Sequence, residues 1–198
     1  MYQRKYAVDL ISDLGLAGAK PVGAPLELHI KLTTVELDCI IEVDNDPPLD
    51  DVSSYQRLIG ILLYLTHTRP DISFVVQSLS QFMHSPKVSH MIAATIVKYI
   101  KQSPGLGVLL SSNSTSILSA FCDADWASCP NTRRFVTGYL IKFGSSPISW
   151  KSKKQPTISR SLAEAEYRCL ASTVAELVWL VGLFAKLNVI VSLPVPLH

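Results

Sequence analysis

Leu170 to Leu193 is an apolar run about long enough to cross a bilayer. Where that run hides decides what the rest of the chain must build. It carries Glu176, Lys186 and Asn188, and a charge at the bilayer centre costs roughly 2.5–3.5 kcal/mol. A helix buried on a sheet is therefore favoured over a span, and no membrane partner is expected. On a helix starting near Ser161, the helical period puts Leu162, Leu170, Thr173, Leu177, Leu180, Phe184 and Leu187 on one stripe. Glu166 falls within that stripe, whereas Glu164 and Arg168 project to the opposite side. A carboxylate on a packing face needs a cation, a metal or a donor cluster, unless the first turn stays wet. Both readings stand on the spacing alone.

The residues before this helix supply the sheet. Ile117–Asp123, Phe135–Phe143 and a short stretch around Ile148–Lys151 read as strands, with Gly144-Ser145-Ser146-Pro147 as a turn between the last two. A further strand begins near Val191. Three strands, a covering helix and another strand predict a mixed α/β (α+β) layer.

The front half has helical rhythm. Ala7, Leu10, Ile11 and Leu14 share a face over residues 3–14, and Gly15, Gly18 and Pro21 break the pattern. Residues 26–42 alternate loosely and contain Ile30, Thr33, Thr34, Val35, Ile40 and Ile41, which predicts a strand. Val43 to Ser54, with Pro47-Pro48 at its centre, reads as an exposed acidic loop. Ser53 or Ser54 is expected to cap a helix whose Tyr55, Leu58, Ile59, Leu62 and Leu65 share one face. Pro70 opens the next helix, to about Met83, and a third runs from near Pro86 to about Gln102. The boundary falls within Gln102–Leu110, dividing the chain into residues 1–105 and 106–198.

With 48% hydrophobic residues in 198, the chain can build real cores. The N-terminus lacks the apolar core of a secretory signal, and Cys39, Cys122, Cys129 and Cys169 show no metal-ligand or disulfide spacing. An intracellular protein with reduced thiols is expected. Charge is unevenly spread. Glu36, Asp38, Glu42, Asp44, Asp46, Asp50 and Asp51 occupy a stretch without a cation between Lys31 and Arg57. Between Asp125 and Glu164 the sign reverses: no acid occurs, while Arg133, Arg134, Lys142, Lys151, Lys153, Lys154 and Arg160 do. That segment is a candidate phosphate-facing surface.

Asp123 and Asp125, two apart where a strand meets a loop, point to one face. Magnesium prefers carboxylate oxygens and is often held by one or two of them plus substrate phosphates. An Asp-x-Asp pair can equally be a turn. Combined with Glu166 on the covering helix and the basic segment between them, it has the parts of metal-assisted phosphodiester chemistry. Trp126 and Trp150 could stack on a base, though core packing is the default, and His67, His84 and His90 lack ligand spacing.

The run Asp123-Ala124-Asp125-Trp126-Ala127, with Thr132-Arg133-Arg134, Thr137-Gly138-Tyr139, Ile148-Ser149-Trp150-Lys151-Ser152-Lys153-Lys154-Gln155, Ser159-Arg160-Ser161 and Ala163-Glu164-Ala165-Glu166-Tyr167, resembles the ribonuclease H domain of copia-type retrotransposons. The motifs Leu58-Ile59-Gly60, Tyr64-Leu65, Thr68-Arg69-Pro70-Asp71-Ile72, Leu79-Ser80-Gln81-Phe82-Met83 and Pro104-Gly105-Leu106-Gly107 are similar to the C-terminal reverse transcriptase and connection region of the same Pol polyproteins. The resemblance covers nearly the whole chain in order. It implies a helical thumb or connection remnant followed by a partial ribonuclease H-like sheet. It further implies an RNA–DNA hybrid as substrate, with Mg²⁺ (or Mn²⁺ in its place) held by Asp123 and Glu166, and Asp125 as a neighbour. The remainder of the Pol polyprotein is an implied partner, in a cytoplasmic particle or the nucleus.

In the family, a third carboxylate lies in a Cys-Asp-Asn run after the helix, a fourth lies further on, and the polymerase Tyr-x-Asp-Asp strand precedes the segment resembling Gln3-Arg4-Lys5-Tyr6. The expectation is a chain cut at both ends, inactive alone, with an open sheet edge through which it self-associates. The alternative is a non-catalytic nucleic-acid-binding or host-adopted interaction module.

Overall fold

A computed structural model describes residues 1–26, 32–42, 46–112 and 115–198. The chain divides into two compact units, Met1–Gly107 and Val108–His198. Helices and an antiparallel three-stranded sheet together make it a mixed α/β protein.

The first unit is helical: α1 (Arg4–Asp13), α2 (Val35–Ile41), α3 (Val52–Leu65), α4 (Ser73–Ser80) and α5 (Ala93–Gln102). Its core takes Ala7, Leu10 and Ile11 from α1 and the predicted face of α3, where Tyr55, Leu58, Ile59, Leu62 and Leu65 are all buried. The Tyr55 hydroxyl donates to the Leu79 carbonyl at 2.8 Å, tying α3 to α4. Leu14 lies beyond the end of α1 as its C-cap, and Gly15 follows at φ +65°, a left-handed turn that glycine adopts without steric cost.

The structure departs from three local expectations. The strand predicted over 26–42 is replaced by α2, because Thr34 acts as a cap, its hydroxyl accepting the Leu37 N–H, and Glu36 and Asp38 favour the positive end of a helix. Residues 27–31 of that prediction lie outside the described residues, as do 43–45 of the acidic loop. Asp51, rather than Ser53 or Ser54, caps α3, its carboxylate accepting the Ser54 N–H at 3.0 Å. Pro70 opens a single 3₁₀ turn before α4, which ends at Ser80 short of Met83.

The acidic stretch is not simply a solvated loop. Lys87, 1% exposed, is paired with Asp38 and with Asp46 at 2.8 Å, and also donates to Thr33 Oγ1. Beside it His90, fully buried, accepts the Lys87 N–H on Nδ1, and its Nε2 lies 3.1 Å from the Thr33 carbonyl, which requires a neutral ring with the proton on Nε2. Burial holds that imidazole below its ordinary range. A second buried cation, Arg69, is bonded by Nε and Nη2 to Asp71 and by Nη1 to the Ser103 carbonyl, and lies over the Tyr99 ring. Thr68 donates to the Gln3 side chain at 2.9 Å. The Thr-Arg-Pro-Asp motif is thus an internal clamp joining the start of α1, the α3–α4 corner and the end of α5.

The second unit runs β1 (Leu118–Asp125), β2 (Val136–Phe143), β3 (Ser146–Lys154), α6 (Leu162–Lys186), with the strands antiparallel in sequence order. Gly144, at φ +58°, turns the chain from β2 into β3, which is longer than the sequence suggested. Leu118, Ala120 and Ile141 meet Leu177 and Leu180 of α6, and Phe184 stacks on Phe143 with ring centroids 5.0 Å apart. After α6 the chain returns along the outer edge of β1. Ser192 donates to the Ser116 carbonyl, Ala120 to Pro196, His198 to Ala120 and Cys122 to His198, each at 2.9–3.0 Å. The bridges are parallel and isolated, so where a strand was expected near Val191 the chain forms a short parallel lane beside β1 and no further strand of the sheet.

α6 is long and apolar enough, by length and composition, to cross a membrane. One side of it lies on the sheet, while Tyr167, Val178 and Trp179 face outward. The inward residues are Ala165, Cys169, Thr173, Leu177 and Leu180; Leu162 and Leu187, assigned to the stripe from spacing, are exposed.

Replacing Lys87 with Met leaves Asp38 and Asp46 without their buried cation, and urea unfolding should show a loss of about 3–5 kcal/mol at neutral pH. The Lys87 hydrogen bond holds the Asp38 carboxyl below its usual range. At Asp46 burial acts the other way and is outweighed by hydrogen bonds from Lys87 and Ser89. Carboxyls depressed in the fold stabilise it fully above their unfolded values near about 4 and lose that effect as pH falls through the folded values. The Lys87→Met penalty should accordingly shrink below about pH 4, and a penalty constant from pH 7 to pH 3 would show that the pairs contribute nothing.

Candidate carboxylate site and basic face

β1 sorts its side chains by alternation. Leu118, Ala120 and Ala124 are buried, and Cys122 packs into the cluster of Ala124, Phe135, Ala165 and Cys169; Phe121, Asp123 and Asp125 lie on the other face, exposed. The two aspartates therefore share a face, as their spacing predicted. Asp123 Oδ1 accepts the Ala124 N–H at 2.9 Å, and its partner on β2 is Gly138, which brings no side chain alongside. The Cys169 thiol donates to the Asp123 carbonyl at 3.0 Å, so α6 holds the backbone of this residue while its carboxylate faces solvent.

On α6 the two glutamates of Ala163-Glu164-Ala165-Glu166 have different duties. Ser161 caps the helix by accepting the Glu164 N–H, and the Glu164 carboxylate reaches back to accept the Arg160 N–H at 2.7 Å and pairs with Arg168 at 2.9 Å. That is a closed capping arrangement. Glu166 has no hydrogen bond or ion pair among the described residues and is exposed. The sequence singled it out as a carboxylate on the packing face; the structure places it in the wet first turns, so desolvation does not demand a partner for it.

The basic residues do not form one surface. β3 alternation puts Lys151 and Lys153 on one face, exposed, and Ser149 on that face donates to Glu176 of α6 at 2.9 Å, which identifies it as the helix side. Lys154 turns the other way and bonds with Cys129, whose thiol also accepts from Thr132 at 3.2 Å. Burial would raise the Cys129 thiol, but the Thr132 and Lys154 hydrogen bonds carry it below its ordinary range. Arg133 is exposed with a left-handed φ of +54°, Arg134 is half-buried with its carbonyl bonded to the Cys129 N–H, and Arg160 is exposed near Glu164. Trp126, expected in the core, is 44% exposed, its indole donating to the Ser159 carbonyl at 3.3 Å.

As donors, Asp123, Asp125 and Glu166 are hard carboxylate oxygens of the kind magnesium takes. Yet among the described residues no group of three or more His, Cys, Asp or Glu side chains is placed to hold a metal ion. The set fits in kind and not in number.

Over 193 residues, 97% of its length, the chain is 38% identical to the retrovirus-related Pol polyprotein from transposon RE2 of Arabidopsis thaliana. Over 180 residues, 90% of its length, it is 34% identical to that from transposon TNT 1-94 of Nicotiana tabacum. It spans 13% of each of those relatives. An uncharacterized mitochondrial protein of Arabidopsis thaliana is 39% identical over 178 residues, which cover 89% of this chain and 70% of that one. The chain belongs to the copia-type retrotransposon Pol polyprotein family. No family model matches it, and no solved structure matches it.

Within this Pol segment, sequence reasoning missed the pairing of Cys122 with Cys169, because residues far apart in the chain meet only through the strand register and the seat of α6. It also missed the Lys87 network. The one available signal was an acidic stretch without a local cation.

Because Asp123 and Glu166 are exposed and support no packing, Asp123→Asn and Glu166→Gln should each change unfolding free energy by less than about 0.5 kcal/mol. Thermal melts of the single variants measure this, and a larger loss from either would mark a structural role.

Proposed function

We propose that the second unit is the ribonuclease H-like part of a Pol polyprotein and the first unit the C-terminal reverse transcriptase or connection segment. Asp123 and Glu166 then contribute to a Mg²⁺ (or Mn²⁺) site that acts on the RNA strand of RNA–DNA hybrids. The observation that carries this reading is the lane of residues 192–198 beside β1. An antiparallel three-strand meander, a crossover helix and a parallel return beside the first strand bring chain to the end of β1 where Asp123 stands. The likeness to transposon Pol polyproteins supports it independently. A divalent ion would supply water activation and charge neutralisation at the phosphate. The chain's own part would be to present Asp123, whose Oδ1 accepts the adjacent Ala124 N–H, and Glu166 to solvent, and to offer Lys151 and Lys153, on the helix-facing side of the sheet, to the hybrid backbone. The remainder of the polyprotein would be its partner, in an intracellular setting.

One observation favours a second reading, a non-catalytic nucleic-acid-binding module: the described residues lack a three-donor cluster. Binding of a labelled RNA–DNA hybrid separates the two. In chelator, Lys153→Ala should reduce the slope of log K against log salt by about 1, as one lost phosphate contact does. On the catalytic-site reading, Mg²⁺ tightens hybrid binding and Asp123→Asn abolishes that increment. An identical Mg²⁺ response in wild type and Asp123→Asn leaves the binding module as the better account.

A further inference from the structure

Cys122 and Cys169 occupy one small buried cluster between β1 and α6. Cys122 is half-buried on the helix-facing side of β1, packed against Ala124, Phe135, Ala165 and Cys169. Cys169 is 1% exposed; its thiol donates to the Asp123 carbonyl at 3.0 Å and reaches the Gly138 carbonyl at 3.5 Å. These contacts place its sulfur over the residue that follows Cys122 and its β2 partner, and the two cysteine side chains interact directly. Ala124, Phe135 and Ala165 complete the cluster around them.

We propose that Cys122 and Cys169 are a disulfide-forming pair that reversibly cross-links α6 to β1 in response to a small-molecule disulfide. In the first step the Cys122 thiolate attacks oxidised glutathione, forming a mixed disulfide and expelling one glutathione thiolate. In the second the Cys169 thiolate attacks the Cys122 sulfur and expels the other glutathione. The two protons released by the cysteines go to the two departing thiolates, and one disulfide is reduced for one formed. Cys122 is the entry point, since Cys169 has almost no exposed surface. Closure by the buried Cys169 follows as the second step. This inference stands apart from the nuclease reading, for it concerns the seat of α6 whether or not Asp123 binds a metal.

The test uses the full chain carrying Cys39→Ser, which removes the exposed thiol, treated with oxidised glutathione and followed by intact mass and peptide mapping. The expected product is lighter by two thiol hydrogens, links the Cys122 and Cys169 peptides, and returns to the starting mass with dithiothreitol. Adding Cys169→Ser should stop the reaction at a glutathione adduct on Cys122. A stable adduct in the chain that retains Cys169, a link to Cys129 instead, or no reaction at Cys122 would each overturn the proposal. The mapping of the chain with both cysteines decides the matter even where the serine variant does not fold.

Discussion

A three-stranded antiparallel sheet has one apolar face that it cannot hide by itself, and in this protein α6 is what hides it. The fit is close because small residues stand at the crossing: Ala120 and Ala124 on β1, and Ala165 and Cys169 on α6. Several features of the second unit follow from that seat. Alternation along β1, once Ala120, Cys122 and Ala124 face the helix, fixes Asp123 and Asp125 outward. The Cys169 thiol on the Asp123 carbonyl fixes the height of the helix along the strand. The chain leaving α6 then has a short path back to the edge of β1, where four backbone hydrogen bonds hold it parallel.

The first unit depends on a different constraint, the satisfaction of buried cations. Arg69 and Lys87 are 2% and 1% exposed. An ammonium or guanidinium held that deeply is tolerated only with its charge matched and its donors bonded. Arg69 meets the demand with Asp71, Ser103 and the Tyr99 ring, and Lys87 with Asp38, Asp46 and Thr33. Each set draws its members from separate stretches of chain, so both act as clasps between helices. Gly107 fits the same pattern of close approach: a side chain there would collide with the backbone of Met1 and Tyr2, with which it forms an antiparallel bridge.

Elements with strong periodicity were legible in the sequence, and those governed by one capping or tertiary contact were not. The α3 face, the β1 and β2 strands and the Ser161 start of α6 follow from patterns of a few residues. The helix at Val35–Ile41 does not, since its β-branched residues favour a strand until Thr34 caps it and Lys87 accepts Asp38 as a partner. The stripe on α6 was read correctly at Thr173, Leu177 and Leu180 but took in Leu162 and Leu187, which are apolar yet exposed, and missed Ala165 and Cys169. Residue type alone cannot report how far a sheet extends beneath a helix. At the candidate site, the shared face of Asp123 and Asp125 was visible from their spacing. The exposure of Glu166 was not, nor was the split of Lys151 and Lys153 from Lys154.

The motif residues of the family divide by what the fold asks of them. Thr68, Arg69, Asp71, Ser161 and Glu164 are bound into clamps and caps, and folding stability accounts for their chemistry. Asp123, Glu166, Lys151 and Lys153 are exposed, and none of them forms an ion pair among the described residues. Charged side chains of this kind contribute little to stability. A cap explains Glu164 and leaves nothing over; no such explanation covers Glu166, two residues away on the same helix. The carboxylates that the fold leaves uncommitted stand on the edge of β1 and in the first turns of α6, two elements joined by the Cys169 contact to Asp123.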